Sequence, residues 1–490
     1  MAGIFWGLVL LLSTLNTVEI VALGPGHHAG IKDVVISHIN GSAIQEQLQT
    51  LATFSEGTPP GITRVLFTQA DVAARNYIKS LMEDAGLVVK EDSMGSIFGT
   101  LYGKNLSAPA VATGSHCDAI PNSGAYDGTV GVLGGIAALK AMTTAGYQPS
   151  RSIHVIMFTS EEPTRFGLSC LGSRAMSGAL SAAALATLRD ANDSGFLDAA
   201  RHARSNSLYT CEEDVLSNAR LTELDISGFV ELHIEQGPEL ERLGVPIGVV
   251  TSIAAPATLK ITFRGSGGHA GSLLMHQRFD PSLAAASLAL EVEAAAKESG
   301  SQDTVATVGQ WLVHPNAVNA VPENVTLMID VRDIDGLQRD KTVTRIVNAA
   351  KEIARQRLKV SLVSHAPRSQ PQTDPLEIEI VNSDDPARCS PSMVQTIEAA
   401  AAGLKLKSHK MVSRAYHDAL FMSRIAPTGM IFIPCADGKS HRPDEFATTS
   451  DIETGTMVLA SSLVRLAEGG LGEDVSFSAS DLDHHHSDEL

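Results

Sequence analysis

His116, Asp127, Glu162, His233 and His441 are the residues of this 490-residue chain best suited to hold metal. They stand in GSHCDAIPNSGAYDG, FTSEEPTRFG, ELHIEQGPELE and GKSHRPDE. Each lies at the end of an apolar strand-like run, in a Gly-flanked loop or in a turn beyond a strand. Imidazoles and carboxylates in such settings point to a two-metal hydrolase with nitrogen and oxygen ligands. Asp118 follows His116 by two residues, so on an extended strand end the two side chains point the same way. Its carboxylate is expected to accept the second imidazole N–H and fix the tautomer. Asp127 precedes an apolar helix, where negative charge is favoured; alone it reads as a helix cap, and with His-x-Asp upstream as a ligand. Glu161 and Glu162 close an apolar strand. Two adjacent buried carboxylates repel and desolvate each other unless a cation is near. Their side chains diverge, so one can ligate while the other acts as general base. A lone strand histidine is usually a satisfied core residue, but His233 is surrounded by Glu231, Glu235 and Gln236. By itself His441, in a turn before Pro443, is ordinary.

Strands and helices alternate through the elements that must position these residues. PAVATGSH reads as a strand ending at His116, Gly128 to Met142 as an apolar helix, IHVIMFTSEE as a strand ending at Glu161 and Glu162, and GFVELHIEQG as a strand ending near His233. Helices are also expected over Ala43 to Leu51 and from Thr68 onward. The alternation predicts an α/β fold with a mixed, largely parallel sheet between helices, whose ligands gather at the carboxyl ends of the strands. Near Ala254–Pro256 the pattern changes. A strand over Thr258 to Arg264, a helix over Ser282 to Lys297, the strands TVATVGQWLVH and NVTLMIDVRDID, and a helix over Lys341 to Leu358 fit an inserted ferredoxin-like α+β lid. APRSQPQTDP is read as the return, followed by a helix over Pro391 to Gly403, the strand GMIFIPC and a helix from Asp451 to Glu468. The expected division is a signal segment over 1–24, catalytic domain over 30–253, lid over 254–366, catalytic domain again over 367–472, and an acidic tail over 473–490.

The net charge of −18 argues against nucleic acid and anionic lipid as partners. Five cysteines (Cys117, Cys170, Cys211, Cys389 and Cys435) form no CxxC pair, which argues against a thiolate zinc site. The apolar run Ile4 to Leu12 suits a signal peptide and is too short to span a bilayer. The last residues, SDEL, resemble an endoplasmic reticulum retrieval signal. Together the two ends predict the endoplasmic reticulum lumen, where sequons at Asn40, Asn105, Asn192 and Asn324 permit glycosylation.

From Ser42 to Glu468 the motifs GSHCDAIPNSG-YDG, SEEPTRFG, HIEQGP, GHAG, NAVN and SHRPDE resemble the di-metal amidohydrolases related to aminoacylase. They are most similar to the branch acting on N-carbamoyl amino acids, allantoate and ureidoglycolate. SRAYHDALFMSRI and GMIFIPCADGKSHRPDEF are most similar to its ureidoglycolate-acting members. The resemblance implies that Asp127 bridges two metals, with His116 and His233 on one and Glu162 and His441 on the other. Mn(II) is favoured, and Zn(II) or Co(II) are alternatives. Asp118 would support the ligands, and Glu161 would shuttle a proton from a metal-bridging hydroxide's parent water to the leaving nitrogen. His269 would reach the partner's site in a homodimer as an oxyanion donor. Asn319 and Arg332 would hold the substrate carboxylate, with Arg332 pairing to Asp330 or Asp333 as the bland alternative. Gln236, Tyr416 and His417 would complete the pocket, Tyr416 reading the substrate hydroxyl. The implied reaction converts (S)-ureidoglycolate to glyoxylate, ammonia and carbon dioxide. Allantoate and N-carbamoyl-L-amino acids are the alternative substrates, and an inactive ureide-binding homologue is the alternative of another class.

Overall fold

A computed structural model describes residues 28–204, 211–358 and 374–469. The expected signal segment and the SDEL tail lie outside the described residues.

Among the described residues the large sheet has nine strands. Its centre is built from β1 (Ala110–His116), β2 (Ile153–Phe158), β3 (Ile226–Ile234) and the late strand Thr428–Ile433, in the order β2-β1-β3-Thr428–Ile433, all parallel. These runs are apolar almost throughout because helices cover both faces. One of them, α1 (Thr129–Thr144), has small residues where it meets the sheet: a Cβ at Gly131 would stand 2.3 Å from the Leu232 carbonyl oxygen. Parallel strands end on one edge. His116, the Glu161–Glu162 turn, His233 and the 434–445 loop therefore converge there.

The lid is the expected β-α-β-β-α-β unit. It comprises β4 (Ala255–Arg264), α2 (Pro281–Lys297), β5 (Val305–His314), β6 (Asn324–Asp333), α3 (Gly336–Arg357) and β7 (Leu376–Ser383), with sheet order β5-β6-β4-β7. Period-two alternation along β6 turns Val325, Leu327, Ile329 and Val331 into a separate core beneath the two helices. The lid boundary at 366 needs correction. β7 pairs antiparallel with β4 from Leu376 opposite Phe263 to Ser383 opposite Ala257, so the lid runs through Ser383. The alternating LEIEIVNS carries this strand, and most of the Pro-rich stretch before it lies outside the described residues.

Candidate metal centre

Asp127 sits just before α1, held by the turn at Gly128, whose φ is 66°. A Cβ on Gly128 would lie 2.4 Å from the His116 ring, so glycine here lets the loop close over the imidazole. Asp127 presents its two oxygens to two sides. Oδ1 is 3.5 Å from His116 Nε2 and 3.2 Å from His233 Nε2. Oδ2 is 3.4 Å from His441 Nε2, which is 3.3 Å from Glu162 Oε1. The structure thus brings together two donor groups, His116–Asp127–His233 and Asp127–Glu162–His441, each with its ligand atoms within 4.8 Å of one another and with Asp127 common to both.

The donors fit divalent cations. His233 Nδ1 meets the Ile234 carbonyl at 2.8 Å, while Nε2 accepts the Gly128 N–H at 3.1 Å, which marks Nε2 as the unprotonated nitrogen. His116 Nδ1 is likewise 3.0 Å from the Asp118 carbonyl, leaving Nε2 to face Asp127. Asp118, Asp127, Glu161 and Glu162 are all buried. Burial, aided by Glu162, Asp418 and Asp118, pushes the Glu161 carboxyl well above its ordinary range against the pull of His116. Burial opposes ionisation of Asp127 too, but the three imidazoles around it, His116, His233 and His441, hold it well below that range. So many buried carboxylates need compensating positive charge.

The Asp118 carboxylate does not accept from His116 as expected: its nearest oxygen is 3.7 Å from Nδ1. It accepts instead the backbone N–H groups of Glu161 at 3.2 Å and Glu162 at 3.0 Å. Two converging amides at the strand end compete better for the carboxylate than a ring nitrogen already met by a carbonyl. Asp118 thereby orients the glutamate pair. Glu161 Oε2 lies 3.8 Å from His116 Nε2, beside the cation site and outside both donor groups.

Gln236 donates from Nε2 to Asp127 Oδ2 at 2.6 Å, and its Oε1 is buried without a partner. Arg332 pairs with Asp330 at 2.7 Å. Burial opposes its charge, but Asp330 above all, with Glu161 and Tyr416 adding to the pull, holds its pKa up. Tyr416 departs from expectation. Its hydroxyl donates to Asp384 Oδ2 at 2.6 Å and accepts from Arg174 Nη2 at 2.8 Å, so its only proton is committed within the chain and is not offered to a substrate hydroxyl. His417 packs edge-on to His233 at 4.6 Å, with Nε2 2.8 Å from Ser413 Oγ. His269 and Asn319 are exposed on the lid, where the Asn319 carbonyl accepts the Ala270 N–H. His269 Nδ1 accepts from Gly271 and Ser272, which leaves Nε2–H outward as a donor; among the described residues it contacts none of the metal ligands.

Sequence reasoning missed Glu445. Its carboxylate accepts the N–H groups of Tyr126 and Asp127 at 2.8 and 2.9 Å and the Ser440 hydroxyl at 2.9 Å, tying the Asp127 loop to the His441 loop. It stands in SHRPDE, but nothing local shows what it ties. Ser160, Gln236 and His441 adopt positive φ. Strained non-glycine backbone of this kind concentrates at functional sites. All five cysteines are unpaired.

Residues 112–465 match the model of peptidase family M20/M25/M40. The chain belongs to this family. Among M20/M25/M40 relatives, it is 48% identical to the ureidoglycolate hydrolase of Oryza sativa subsp. japonica over 88% of this chain and 85% of the relative. It is 47% identical to the ureidoglycolate hydrolase of Arabidopsis thaliana over 90% of each. A crystal structure of AtUAH in complex with (S)-hydroxyglycine superposes with a TM-score of 0.81 at 46% identity, over 88% of this chain and 99% of that one.

Proposed function

We propose that the chain hydrolyses (S)-ureidoglycolate to glyoxylate, ammonia and carbon dioxide. The carrying observation is the shared Asp127 between two donor groups, with Glu161 beside them and in neither group. The substrate follows from the relatives' activity and from (S)-hydroxyglycine in the AtUAH complex, which is what remains of ureidoglycolate once its carbamoyl group has left as ammonia and carbon dioxide.

His116, Asp127 and His233 would hold one divalent cation, and Asp127, Glu162 and His441 the other, with Mn(II) the favoured metal. Such a pair acidifies water and polarises a carbonyl. The chain's own residues do the rest. The Arg332 guanidinium binds the substrate carboxylate, and the unpartnered Gln236 Oε1 accepts a ureido N–H. Glu161 takes a proton as water adds to the ureido carbon and returns it to the departing nitrogen, so the C–N bond breaks and ammonia leaves. The carbamate left behind loses carbon dioxide to give hydroxyglycine. Loss of a second ammonia gives glyoxylate.

The outward N–H of His269 supports its use as an oxyanion donor in a partner's site. The lid's exposed edge strand β5, with Trp311 45% and Leu312 60% exposed, supports lid-to-lid pairing in a homodimer. The two chain ends support entry into the endoplasmic reticulum. Asn40, Asn105 and Asn192 are exposed sequon positions, and Asn324 is half-buried within the lid sheet; glycosidase-sensitive mass on the secreted-route protein would test this.

The deciding experiment strips the metal and restores Mn(II), Zn(II) or Co(II) separately, then follows ammonia release from ureidoglycolate, allantoate and an N-carbamoyl-L-amino acid. Restored turnover highest on ureidoglycolate is expected. A preference for either other substrate reassigns the specificity, and no turnover at full metal occupancy would mean a ureide-binding protein.

A further inference from the structure

Asp384 lies at the junction where β7 ends and the chain re-enters the catalytic domain, and it is buried. Its backbone is fastened to the lid. The N–H donates to the Pro256 carbonyl at 3.3 Å, at the other chain crossing, and the carbonyl accepts from the buried Arg339 guanidinium of α3. Its carboxylate is fastened to the catalytic domain. Arg174 grips both oxygens, at 2.9 and 2.5 Å; Tyr416 donates to one of them, and Arg424 lies 3.5 Å from the other. A bidentate guanidinium–carboxylate pair fixes direction as well as distance. Pro256 in turn stands opposite Arg332 in the sheet. A short path of backbone pairs therefore runs from Asp384 through Pro256 to Arg332 on the lid strand, and the Asp384 carboxylate also holds the tyrosine before His417.

We propose that Asp384 is the positioning residue of the hinge: with its main chain in the lid and its carboxylate in the catalytic domain, it sets where Arg332 stands relative to Glu161 and Tyr416. The role of Arg332 rests on the reaction proposed above; the role of Asp384 in fixing the lid does not. Asp384→Asn keeps the size but removes the charge and one acceptor. The test attaches spin labels at Leu106→Cys on the catalytic domain and Leu290→Cys on the lid, residues 70% and 69% exposed. Cys211, the one cysteine that is not buried, is replaced by Ser in this background.

In the full-length metal-loaded protein, Asp384→Asn is expected to broaden the label-to-label distance distribution. It should also raise KM for ureidoglycolate about tenfold while kcat stays within about threefold, because loosening a carboxylate clamp weakens uniform binding. An unchanged distribution overturns the proposal, and so does a broadened one with unchanged KM. If Asp384→Asn does not fold, Tyr416→Phe, which deletes only the hydroxyl from the clasp, is measured in its place with the same two outcomes. If the parent protein does not turn over ureidoglycolate, the reaction fails while the distance measurement still judges the hinge.

Discussion

Asp127 is the one side chain that reaches both donor groups, and Glu161 is the carboxylate that reaches neither as a ligand. The two should fail differently. Asp127→Ala is expected to lose both equivalents of metal together, measured by elemental analysis after dialysis; retention of one equivalent would contradict the sharing. Glu161→Gln is expected to keep both equivalents and lower kcat by about 10²–10⁴-fold, the usual worth of a general base. Steady-state kinetics beside metal content separate the two cases. The family resemblance implied these roles; residue identity and neighbourhood alone marked Asp127 as ligand or cap and the glutamate pair as one ligand and one base. The Asp118 and Tyr416 assignments shifted because a hydrogen bond goes to the best-placed partner. For Asp118 those partners were backbone amides across the site, and for Tyr416 a carboxylate 32 residues upstream.

Elements act by aiming these side chains. The parallel centre of the large sheet places three strand ends side by side, and α1 then brings Asp127 over them. The entry into α1 works only because Gly128 takes φ 66° with no side chain against His116. Gly128→Ala is expected to push the His116 ring aside and weaken metal binding by about 10–100-fold, the cost seen when a ligand's supporting contacts are lost. Isothermal titration of the metal-free variant would read it; unchanged affinity would show that the loop has slack. Strand and helix existence was legible from apolar periodicity. β7 was not, because a Pro-rich stretch precedes it and only pairing with β4 shows which domain it serves.

Across the molecule, the lid carries His269 away from the metal ligands of its own chain. Mixing the His269→Ala and Glu161→Gln proteins under subunit exchange therefore tests the dimer. If His269 acts in the partner's site, each mixed dimer regains one intact centre and activity returns. If it acts within its own chain, or the chain is a monomer, the mixture stays as inactive as its parts. Stability should also depend on pH through His154 in β2. Burial pushes this imidazole down to about 4, with Nδ1 2.9 Å from Thr100 Oγ1. A depressed folded pKa means that the unfolded chain binds the proton first. The contribution is therefore complete above pH 6.5 and lost as pH falls toward 4, by up to about 3 kcal/mol. Denaturant unfolding of wild type and His154→Gln across that window should show a slope difference approaching one proton; parallel curves would show that the site accepts the charge.

Most of the strands and helices, β7 excepted, and the residue types that could ligate metal were legible in the sequence, because periodicity and residue chemistry are local properties. Only the tertiary structure decided which oxygen of Asp127 faces which imidazole, that Glu445 ties two distant loops, and that Asp384 joins the domains. Those contacts join residues far apart along the chain, and their partners are selected by packing geometry, which no short window of residues contains.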